Sequence, residues 1–514
     1  MNNFRKQTDR DRAIAAVPPS NRKGAWWWKY IVLFTILSSA VWYEAIQNSI
    51  GLMGTCSHNP EFGDKRPVIL ISIDSLRADF TTPYGHTATF GGTEQTTPFL
   101  NKLANEGVMF NNTMAASPWT LPSHISILTG MHPIEHGVRS RKFSLNEKIN
   151  LISNKYQNAD YNTAGFFSAP FLHPVWGFHR GFDVYAPGAD YLGTVDAAQH
   201  LSASGKGPEV QVIHHKSHSD AETGAQVVDR AIKWLENDDH YTEPFFMFLH
   251  FWDPHYDYAA PQKYVDMFHP DFAGEVDGTE LVNFDLELSP DQAKHLKALY
   301  EAEIRYTDDQ LARFFAKLTE WGIENDVIIA IVSDHGDAFL EHGERGHHLT
   351  LYDEAMRVPM VIRAPGVVEA GQTVNGSVSI CDLSPTLLDL SNLSPFQNRS
   401  GQSMRPMWEG EDTNRKVTMD LLRPTKKIEF RGYRNGNMKG ILDSFNRTLT
   451  LLNLNDDPLE NNPQVVKPNS DMPFAREAVE FIQEVASQRG PRPGLVSETG
   501  EMTSLLSELG YTED

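Results

Sequence analysis

The chain has 514 residues, and its 45 Lys and Arg against 67 Asp and Glu give a formal net charge of −22. Hydrophobic residues make up 40% of the chain, enough to fill a large core, which excludes a mainly disordered protein. The two cysteines, Cys56 and Cys381, exclude a framework of several disulfides and a cysteine-based zinc cluster. At roughly 150 residues per domain, the length suggests two or three structural units.

The charge is unevenly distributed along the chain. Residues 1–29 carry seven basic and two acidic side chains, a local net charge of +5, so the remainder carries −27. A chain this acidic outside its first residues would repel phosphate backbones. We therefore expect no nucleic-acid partner.

An apolar segment follows the basic residues. It begins at Ala25, ends near Tyr43 and has Trp26–Trp28 at one end, and its only charge is Lys29. This length and these aromatic ends predict a transmembrane anchor at residues 25–45, after a cytoplasmic tail at 1–24. The rest of the chain would then lie outside the cytoplasm, in a periplasmic, extracellular or lumenal space. A cleaved signal peptide is the alternative, because Ser38–Ala40 are small residues.

After a linker at residues 46–66, strand and helix patterns alternate. A continuous apolar run from Pro67 to Asp74 predicts a strand buried on both faces, and Thr97–Gly107 predicts a capped helix. This alternation predicts an α/β domain at residues 67–393, with a large mixed sheet flanked by helices. Further strands are predicted at 163–167, 245–251, 327–332 and 359–363, and further helices at 121–128, 220–236, 292–318 and 382–390.

The pattern of apolar and polar residues changes near Ser394, from long apolar runs to short alternating segments. Short alternating segments at 428–433, 437–442 and 449–454 predict a smaller antiparallel C-terminal subdomain at residues 394–488. A helix is predicted near 474–486. A tail with Pro and Gly follows at 489–514.

Two predicted strands end in acidic residues. Asp74 follows the first strand, and Asp334, His335 and Gly336 follow the strand at 327–332. Ligands reach the carboxyl-end edge of such sheets, and adjacent oxygen and nitrogen donors suit a divalent metal. The sequence therefore predicts a metal site built from Asp74, Asp334 and His335.

A hydroxyl is predicted at the start of a helix. Thr120 precedes the apolar helix pattern at 121–128, where backbone N–H groups favour an anion such as sulfate or phosphate. Threonine is a weak nucleophile unless it is deprotonated, which coordination to a metal would accomplish. The alternative is an ordinary helix N-cap.

These features occur within an ordered set of motifs. The chain resembles the sulfatase family, of the alkaline-phosphatase-like superfamily, over roughly residues 67–514. The resemblance implies that family's large α/β fold. The motifs that carry it are Ile71–Asp79, Thr97–Phe110, Leu121–Gly130, Gly177–Asp183, Phe248–His255, Glu303–Asp308, Ser333–Gly343, Thr350–Pro359 and Leu452–Glu460.

The chain departs from the family at the nucleophile. Sulfatases carry Cys or Ser in a Cys/Ser-x-Pro-x-Arg motif that is converted to formylglycine, whereas here Thr120 and His124 occupy the two end positions. Other members of the superfamily use an unmodified threonine. The resemblance therefore implies that Thr120 is a metal-activated nucleophile and also a metal ligand.

The resemblance also implies the metal and its ligands. Asp74, Asp334, His335 and Thr120 would bind one divalent ion. Ser75 stands where many sulfatases have a further acid, which favours zinc or manganese over calcium or magnesium. A possible second ion would use Asp253, His255 and His347.

Further residues are implied at the site. His347 and His348 replace a lysine that contacts the anionic ester in the family, His255 matches a position that contacts the transferred group, and Arg77 would orient the first metal loop. Solvated loop histidines without a role are the alternative.

The predicted function is a membrane-anchored, metal-dependent hydrolase acting on an anionic sulfate or phosphate ester. One alternative is a transferase that moves a phosphoglycerol or phosphoethanolamine group onto envelope lipid or glycan. The other is an inactive binding protein on the same fold, against which the presence of Asp74, Asp334 and His335 counts.

Overall fold

The structure is a computed structural model that describes residues 62–188, 223–269, 276, 278, 287–410 and 414–496. The predicted tail at 1–24, the predicted anchor at 25–45, the linker up to residue 61 and the chain after residue 496 lie outside the described residues. Among the helices that the structure describes, none has the length and apolar character needed to cross a membrane.

Strand β1 (Val68–Ile73) lies in the middle of the large sheet. All six residues are buried, as predicted from the apolar run. It pairs in parallel with β6 (Phe245–Phe251) on one side and with β7 (Ile328–Ser333) on the other. The three strands therefore end at the same edge.

The large sheet is mixed, as predicted. Nine of the described strands form it, in the order β10-β2-β11-β7-β1-β6-β4-β5, with β12 pairing beside β2. β11 is antiparallel to both β7 and β2, whereas the pairs around β1 and β4 are parallel. The remaining bounds are β2 Val108–Met114, β4 Asn162–Phe167, β5 Val184–Pro187, β10 Arg357–Val358, β11 Met360–Arg363 and β12 Gln372–Ser379. The two-residue strands β3 Phe143–Ser144, β8 Ala338–Phe339 and β9 Arg345–Gly346 are among the described strands outside it.

Helices flank this sheet. The predicted helices are present as α1 Pro98–Glu106, α2 Thr120–Thr129, α5 Thr223–Glu236, α7 Pro290–Glu320 and α9 Leu383–Leu390. α2 ends at Gly130, whose φ of 68° is left-handed and suits glycine. Shorter helices are α3 Pro133–His136, α4 Ile152–Gln157, α6 Gln262–Phe268, α8 Asp353–Met356 and α10 Arg405–Trp408.

Four strands of the large sheet, β2, β5, β10 and β12, were not predicted. β2 and β12 pair with each other in parallel, and both have part-exposed positions among the buried ones. Polar residues such as Asn111 and Asn112 interrupt the apolar run of β2. Neither strand therefore gives the continuous apolar signal that identified β1.

The smaller sheet is antiparallel, as predicted, and has the order β13-β14-β15-β16-β17. α11 (Pro473–Ser487) packs on it through Ala478 and Ile482 against Tyr433. The bounds are β13 Lys416–Arg423, β14 Ile428–Asn435, β15 Met438–Asp443, β16 Thr448–Asn453 and β17 Gln464–Val466, and β18 Gly494–Leu495 pairs with β3.

The two sheets share one hydrophobic core, in which Met419 and Ile441 belong to the same buried cluster as Phe110. The backbone N–H of Asp420 donates to Ala116 O at 2.9 Å, and Ser117 Oγ donates to Asp420 O at 2.7 Å. The C-terminal sheet therefore contacts the segment that leads directly to Thr120.

Candidate metal centre and nucleophile

Asp74 and Asp334 lie at the same edge of the large sheet. Each follows the last residue of its strand, and Ile73 and Ser333 are paired across β1 and β7. Asp74, Asp334 and His335 are fully buried, and each offers a ligand atom within 4.8 Å of the others. The side chains predicted to form the first metal site are thus brought together.

The two carboxylates oppose each other electrostatically. Burial favours the neutral form of Asp74, but the His250 ring nitrogen 3.3 Å away and two further histidines hold the pKa of Asp74 well below its usual value. Burial and the charge of Asp74 together raise the pKa of Asp334 well above its usual value. Two carboxylates this close favour ionisation of both only when a cation lies between them.

The lone pairs at this point converge. His335 Nδ1 lies 3.1 Å from Gly336 O. Because a carbonyl oxygen only accepts, Nδ1 must carry the proton and donate it. His335 Nε2 is then unprotonated and presents a lone pair. That nitrogen lies 3.3 Å from Asp334 Oδ2 and 3.5 Å from Asp74 Oδ1. Burial lowers the pKa of His335 to about 3, which keeps the ring neutral.

The residues present fit a divalent cation. Asp334 Oδ2 is buried and, among the described residues, has no hydrogen-bond donor. A buried acceptor without a donor is costly, and a lone pair facing two carboxylate oxygens adds repulsion. A cation bound between these atoms removes both costs.

Thr120 is the first residue of α2, and its side chain is buried. Its Oγ1 lies 3.4 Å from His335 Nε2 and 3.5 Å from Asp74 Oδ2. The N-cap position belongs to Trp119, and the Thr120 hydroxyl does not cap the helix. The alternative of an ordinary N-cap is therefore wrong, and the hydroxyl faces the candidate metal ligands.

His124 occupies the position of the family's arginine but acts differently. Its Nδ1–H donates to Thr120 O at 2.9 Å, and its Nε2 accepts from the Ser72 hydroxyl at 2.8 Å. Burial lowers the pKa of His124 to about 3. It is a neutral side chain that ties the first turn of α2 to β1, and it adds no positive charge.

A second group of possible ligands lies beside the first. His335, Asp337 and His347 also offer ligand atoms within 4.8 Å of one another. His347 Nδ1 lies 2.6 Å from Asp337 Oδ1, while His347 Nε2 is buried without a hydrogen-bond partner among the described residues. Burial lowers the pKa of His347 to about 4 and raises that of Asp337 to about 6. At neutral pH the imidazole therefore donates Nδ1–H to an ionised carboxylate and presents the lone pair of Nε2.

The second set predicted from the sequence is only partly assembled. The rings of His255 and His347 lie 5.0 Å apart. Asp253 instead accepts from Thr223 Oγ1 at 2.8 Å and from Gly224 N at 3.0 Å, at the start of α5. The structure thus groups His347 with Asp337, while the use of Asp253 as a ligand stays a prediction.

His348 and Arg77 lie around this site. His348 is next to His347, with ring centroids 4.4 Å apart, and its ring lies 5.3 Å from that of Trp119. Arg77 binds Asp79 through two nitrogens and donates Nη1–H to Asp337 O at 2.9 Å. Arg77 therefore fixes the backbone of the loop that carries Asp337.

Glycine is required at position 336 because neighbouring atoms approach its Cα closely. A Cβ at this position would lie 2.2 Å from Glu354 O and 2.8 Å from Arg77 Cγ. Only glycine lets the chain turn here without moving His335 or Asp337. The glycine of the Asp-His-Gly motif therefore has a steric cause.

Two residues at the site were not predicted. Asp337 stands two residues after His335, and His250 belongs to β6 and contacts Asp74. The Asp-His-Gly-Asp spacing offered a signal for Asp337. Nothing in the apolar run around His250 marked its role.

Comparisons with known proteins agree with this architecture. The profile of the sulfatase family matches residues 66–393, and that of the N-sulphoglucosamine sulphohydrolase C-terminal region matches residues 341–471. The chain therefore belongs to the sulfatase family. The resemblance predicted from its motifs is confirmed.

Several curated relatives are similar to the chain. The ulvan-active sulfatase of Formosa agariphila is 26% identical over 62% of this chain and 61% of its own length. The arylsulfatase of Clostridium perfringens is 27% identical over 67% of this chain and 79% of its own length. The choline-sulfatase of Rhizobium meliloti is 26% identical over 71% and 76%. The chain thus spans about three fifths of the length of the first of these relatives.

Solved structures share the fold. One, determined in complex with its substrate D-glucosamine-2-N,6-O-disulfate, has a TM-score of 0.65 and 20% identity, covering 82% of this chain and 98% of the other. The phosphonate monoester hydrolase of Agrobacterium radiobacter has a TM-score of 0.62 and 21% identity, covering 82% and 95%. These similarities confirm the predicted sheet architecture.

Proposed function

We propose that this protein is a metal-dependent hydrolase of a sulfate or phosphate ester, in which Thr120 is the nucleophile. The observation that carries the proposal is the position of Thr120 Oγ1, 3.4 Å from His335 Nε2 and 3.5 Å from Asp74 Oδ2, at the first turn of α2. The names of the curated relatives favour sulfate as the transferred group.

Asp74, Asp334 and His335 would hold one divalent cation, and His347 with Asp337 could take part in holding a second. When bound, such a cation would polarise the ester and lower the pKa of a nearby hydroxyl. One imidazole nitrogen with carboxylate oxygens favours zinc or manganese, with calcium or magnesium as alternatives.

The chain's own groups would then act as follows. Thr120 Oγ1 attacks sulfur or phosphorus, forming a bond to that atom while the bond to the ester oxygen breaks. The Thr120 proton passes to water as the hydroxyl ionises, and the departing oxygen takes a proton from water and leaves as an alcohol. A second water then attacks the covalent ester and gives a proton to His347 Nε2. The bond to Thr120 Oγ1 breaks, and that proton passes to Thr120 Oγ1, which regains its hydroxyl.

The backbone at the start of α2 would bind the transferred group. Unpaired N–H groups of a helix's first turn favour an anion, and the site lies at that end of α2. His348 and His255 lie around the same space through their contacts with His347 and would contact the ester oxygens. Arg77 positions the Asp337 loop from behind.

We also propose that residues 25–45 anchor the protein in a membrane, with the catalytic domain outside the cytoplasm. This part rests on the apolar segment, its aromatic ends and the +5 charge before it. Release of the protein from membranes by carbonate alone, without detergent, would contradict the anchor and favour a cleaved signal peptide.

The test uses the purified full chain with p-nitrophenyl sulfate and p-nitrophenyl phosphate. We expect hydrolysis that Thr120→Ala abolishes and Thr120→Ser partly preserves, because serine keeps the hydroxyl. Thr242→Ala is the matched control, because Thr242 is a part-exposed threonine whose hydroxyl donates to Asp239 O. Circular dichroism would establish that each variant is folded.

Mass spectrometry of protein stopped during turnover should find one sulfo or phospho group on the peptide that contains Thr120. Full activity in Thr120→Ala would refute the nucleophile. Transfer of the group to an added alcohol in preference to water would favour the transferase. Absence of any turnover with every metal tested would favour the inactive binding protein.

A further inference from the structure

A second cavity lies at the other end of α2. It has a volume of about 370 Å³ and is lined by His132, Arg399, Gln402, Lys416 and Phe481, among others. α2 has ten residues, so its two ends are about 15 Å apart, with Thr120 at one end and this cavity beyond the other. The cavity is therefore separate from the candidate metal centre.

Arg399 brings a positive charge to this cavity, and Glu135 is the acid whose charge acts on it from a distance. Its Nη1 donates to Thr129 O and to Asn150 O, and its guanidinium stacks on Phe396, 3.6 Å from the ring centroid. No carboxylate in the described part of the chain forms an ion pair with it. Burial lowers the pKa of Arg399 to about 10, which reflects a charge held away from water.

The nearest acid is already engaged. Glu135 accepts from His132 N at 2.6 Å and from the Ser400 hydroxyl, and burial raises the pKa of its carboxyl. Of the two acids in the lining, Asp382 accepts from the backbone of Ser379 and Gln402 and lies 3.7 Å from Arg415. Glu484 is exposed at the rim.

His132 supplies an independent sign of a missing partner. Its side chain is only 3% exposed, and its Nδ1 has no hydrogen-bond partner among the described residues. Burial lowers the pKa of His132 to about 4, so the ring is neutral. His132 and Arg399 both line the cavity.

We propose that this cavity is a binding site for an oxyanion carried on a small polar body of about monosaccharide size. Arg399 would bind the anionic group, because a guanidinium pairs readily with planar or tetrahedral oxyanions. Lys416, whose Nζ lies 3.0 Å from Glu477 Oε1, would add a second positive charge. Gln402 would bind a hydroxyl group, and Phe481 with Val417 would pack against the apolar face of a ring. A cavity of this size is within the range of small-molecule sites.

The first test is crystallographic. Crystals of the full chain soaked in selenate, a sulfate analogue with anomalous scattering, should show a selenium peak within hydrogen-bond distance of the Arg399 guanidinium. A peak at the metal centre alone would overturn the proposal. Because the metal-centre peak is scored separately, failure here leaves the proposed hydrolase untouched, and the reverse also holds.

The second test uses solution binding. Titration of inorganic sulfate and of glucose 6-phosphate should raise the melting temperature of the wild type, and Arg399→Met should raise the dissociation constant at the cavity about tenfold or more. Arg447→Met, at an exposed position, is the matched control. An equal shift in Arg399→Met and wild type would refute the site.

Two further variants and a comparison of two ligands test whether charge causes the binding. Arg399→Lys should recover part of the binding if charge is the cause, and Lys416→Gln should weaken it without touching the carbonyls that Arg399 binds. Hydrolysis of p-nitrophenyl sulfate should be unchanged in Lys416→Gln. Tighter binding of glucose 6-phosphate than of inorganic sulfate would identify a sugar-borne anion, and the reverse order would identify the free ion.

Discussion

The imidazole of His347 is tied to the carboxylate of Asp337 by a contact of 2.6 Å, at a buried site that also faces His335. The contact fixes which nitrogen of His347 carries the proton. The Nε2 atom of His347 is therefore unprotonated. It lies near His335, whose own Nε2 is close to the Thr120 hydroxyl. An acid two residues beyond a candidate ligand thus sets the chemistry of a histidine ten residues further on.

Replacing Asp337 with Asn should lower kcat without unfolding the protein. The amide is neutral and can turn its NH₂ toward His347 Nδ1, which would displace the proton to Nε2. Removal of such an orienting carboxylate commonly costs about 10–100-fold in activity or metal affinity. Steady-state kinetics and elemental analysis of the purified variant measure both effects.

Asp471→Asn, at an exposed acid in the C-terminal region, is the control for Asp337→Asn. Unchanged kcat and unchanged metal content in Asp337→Asn would show that the pairing with His347 is only structural.

Removal of metal should make a substitution at the metal site stabilising, although such substitutions usually destabilise a metal-bound protein. With a chelator present, Asp334→Asn should be more stable than wild type, because the variant loses the repulsion between Asp334 and Asp74. Burial and the charge of Asp74 raise the pKa of Asp334, so the neutral amide should be tolerated better than the acid in the metal-free protein. With metal restored, the same variant should bind the ion more weakly and hydrolyse ester more slowly.

Chemical unfolding with and without chelator measures the stability difference. A loss of stability in the metal-free variant would mean that Asp334 is stabilised by the protein alone and not by a cation.

Lys439 should be one of the more sensitive positions outside the site. Its side chain is fully buried, and Nζ lies 2.7 Å from Asp353 Oδ1 and 2.7 Å from Glu460 Oε1. Lys439→Met would leave the buried carboxylate of Glu460 without its cation, whereas Asp353 would keep Arg434 at 3.0 Å, and we expect a cost of about 3–5 kcal/mol. The free energy of unfolding in urea measures this loss.

Lys467→Met, at an exposed lysine, should change stability by less than about 0.5 kcal/mol. Because Asp353 begins α8, just after the His347 segment, Lys439→Met should also reduce activity at temperatures below unfolding. Full activity in a destabilised Lys439→Met variant would show that this contact of the C-terminal sheet does not affect the candidate active site.

Asp308 should make stability depend on pH. It accepts from Phe99 N and Leu100 N at the start of α1, and burial raises the pKa of its carboxyl to about 7. A raised carboxyl pKa means that the unfolded chain ionises first. Stability from this group is therefore present below pH 4, declines as pH rises toward 7 and is constant above it.

The difference in the free energy of unfolding between Asp308→Asn and wild type should accordingly move in favour of the variant as pH rises from 4 to 7, by roughly 4 kcal/mol for a shift of this size. Thermal unfolding at several pH values measures the difference. A difference between the two proteins that does not change with pH would contradict the raised pKa.

The first metal group was accessible from the sequence because its residues follow recognisable strands. Asp74 and Asp334 each end an apolar run, and adjacent parallel strands bring such ends together. Asp253 shows the limit of this reasoning. It is close to His255 along the chain, yet the backbone directs its carboxylate to the N–H of Gly224, and no sequence pattern gives that direction.

The fold shows the same division. β1, β6 and β7 are fully buried and were predicted, whereas β2 and β12 have mixed patterns and form strands through pairing with each other and, for β2, also with β10 and β11. The pairing of His250 with Asp74 likewise depends on the register between β1 and β6. Long-range pairing of this kind leaves no local mark in the sequence.

The turn before Thr120 is held from two directions. Ala115 N donates to Met356 O of the large-sheet domain, and Ala116 O accepts from Asp420 N of β13. Consequently a recombination event with a breakpoint near residue 400 would give the nucleophile's turn a foreign hydrogen-bonding strand. We therefore expect chimeras of sulfatase halves to be more active when the turn at 115–119 and the strand at 416–423 come from the same parent, because the fit between these two segments sets the position of Thr120.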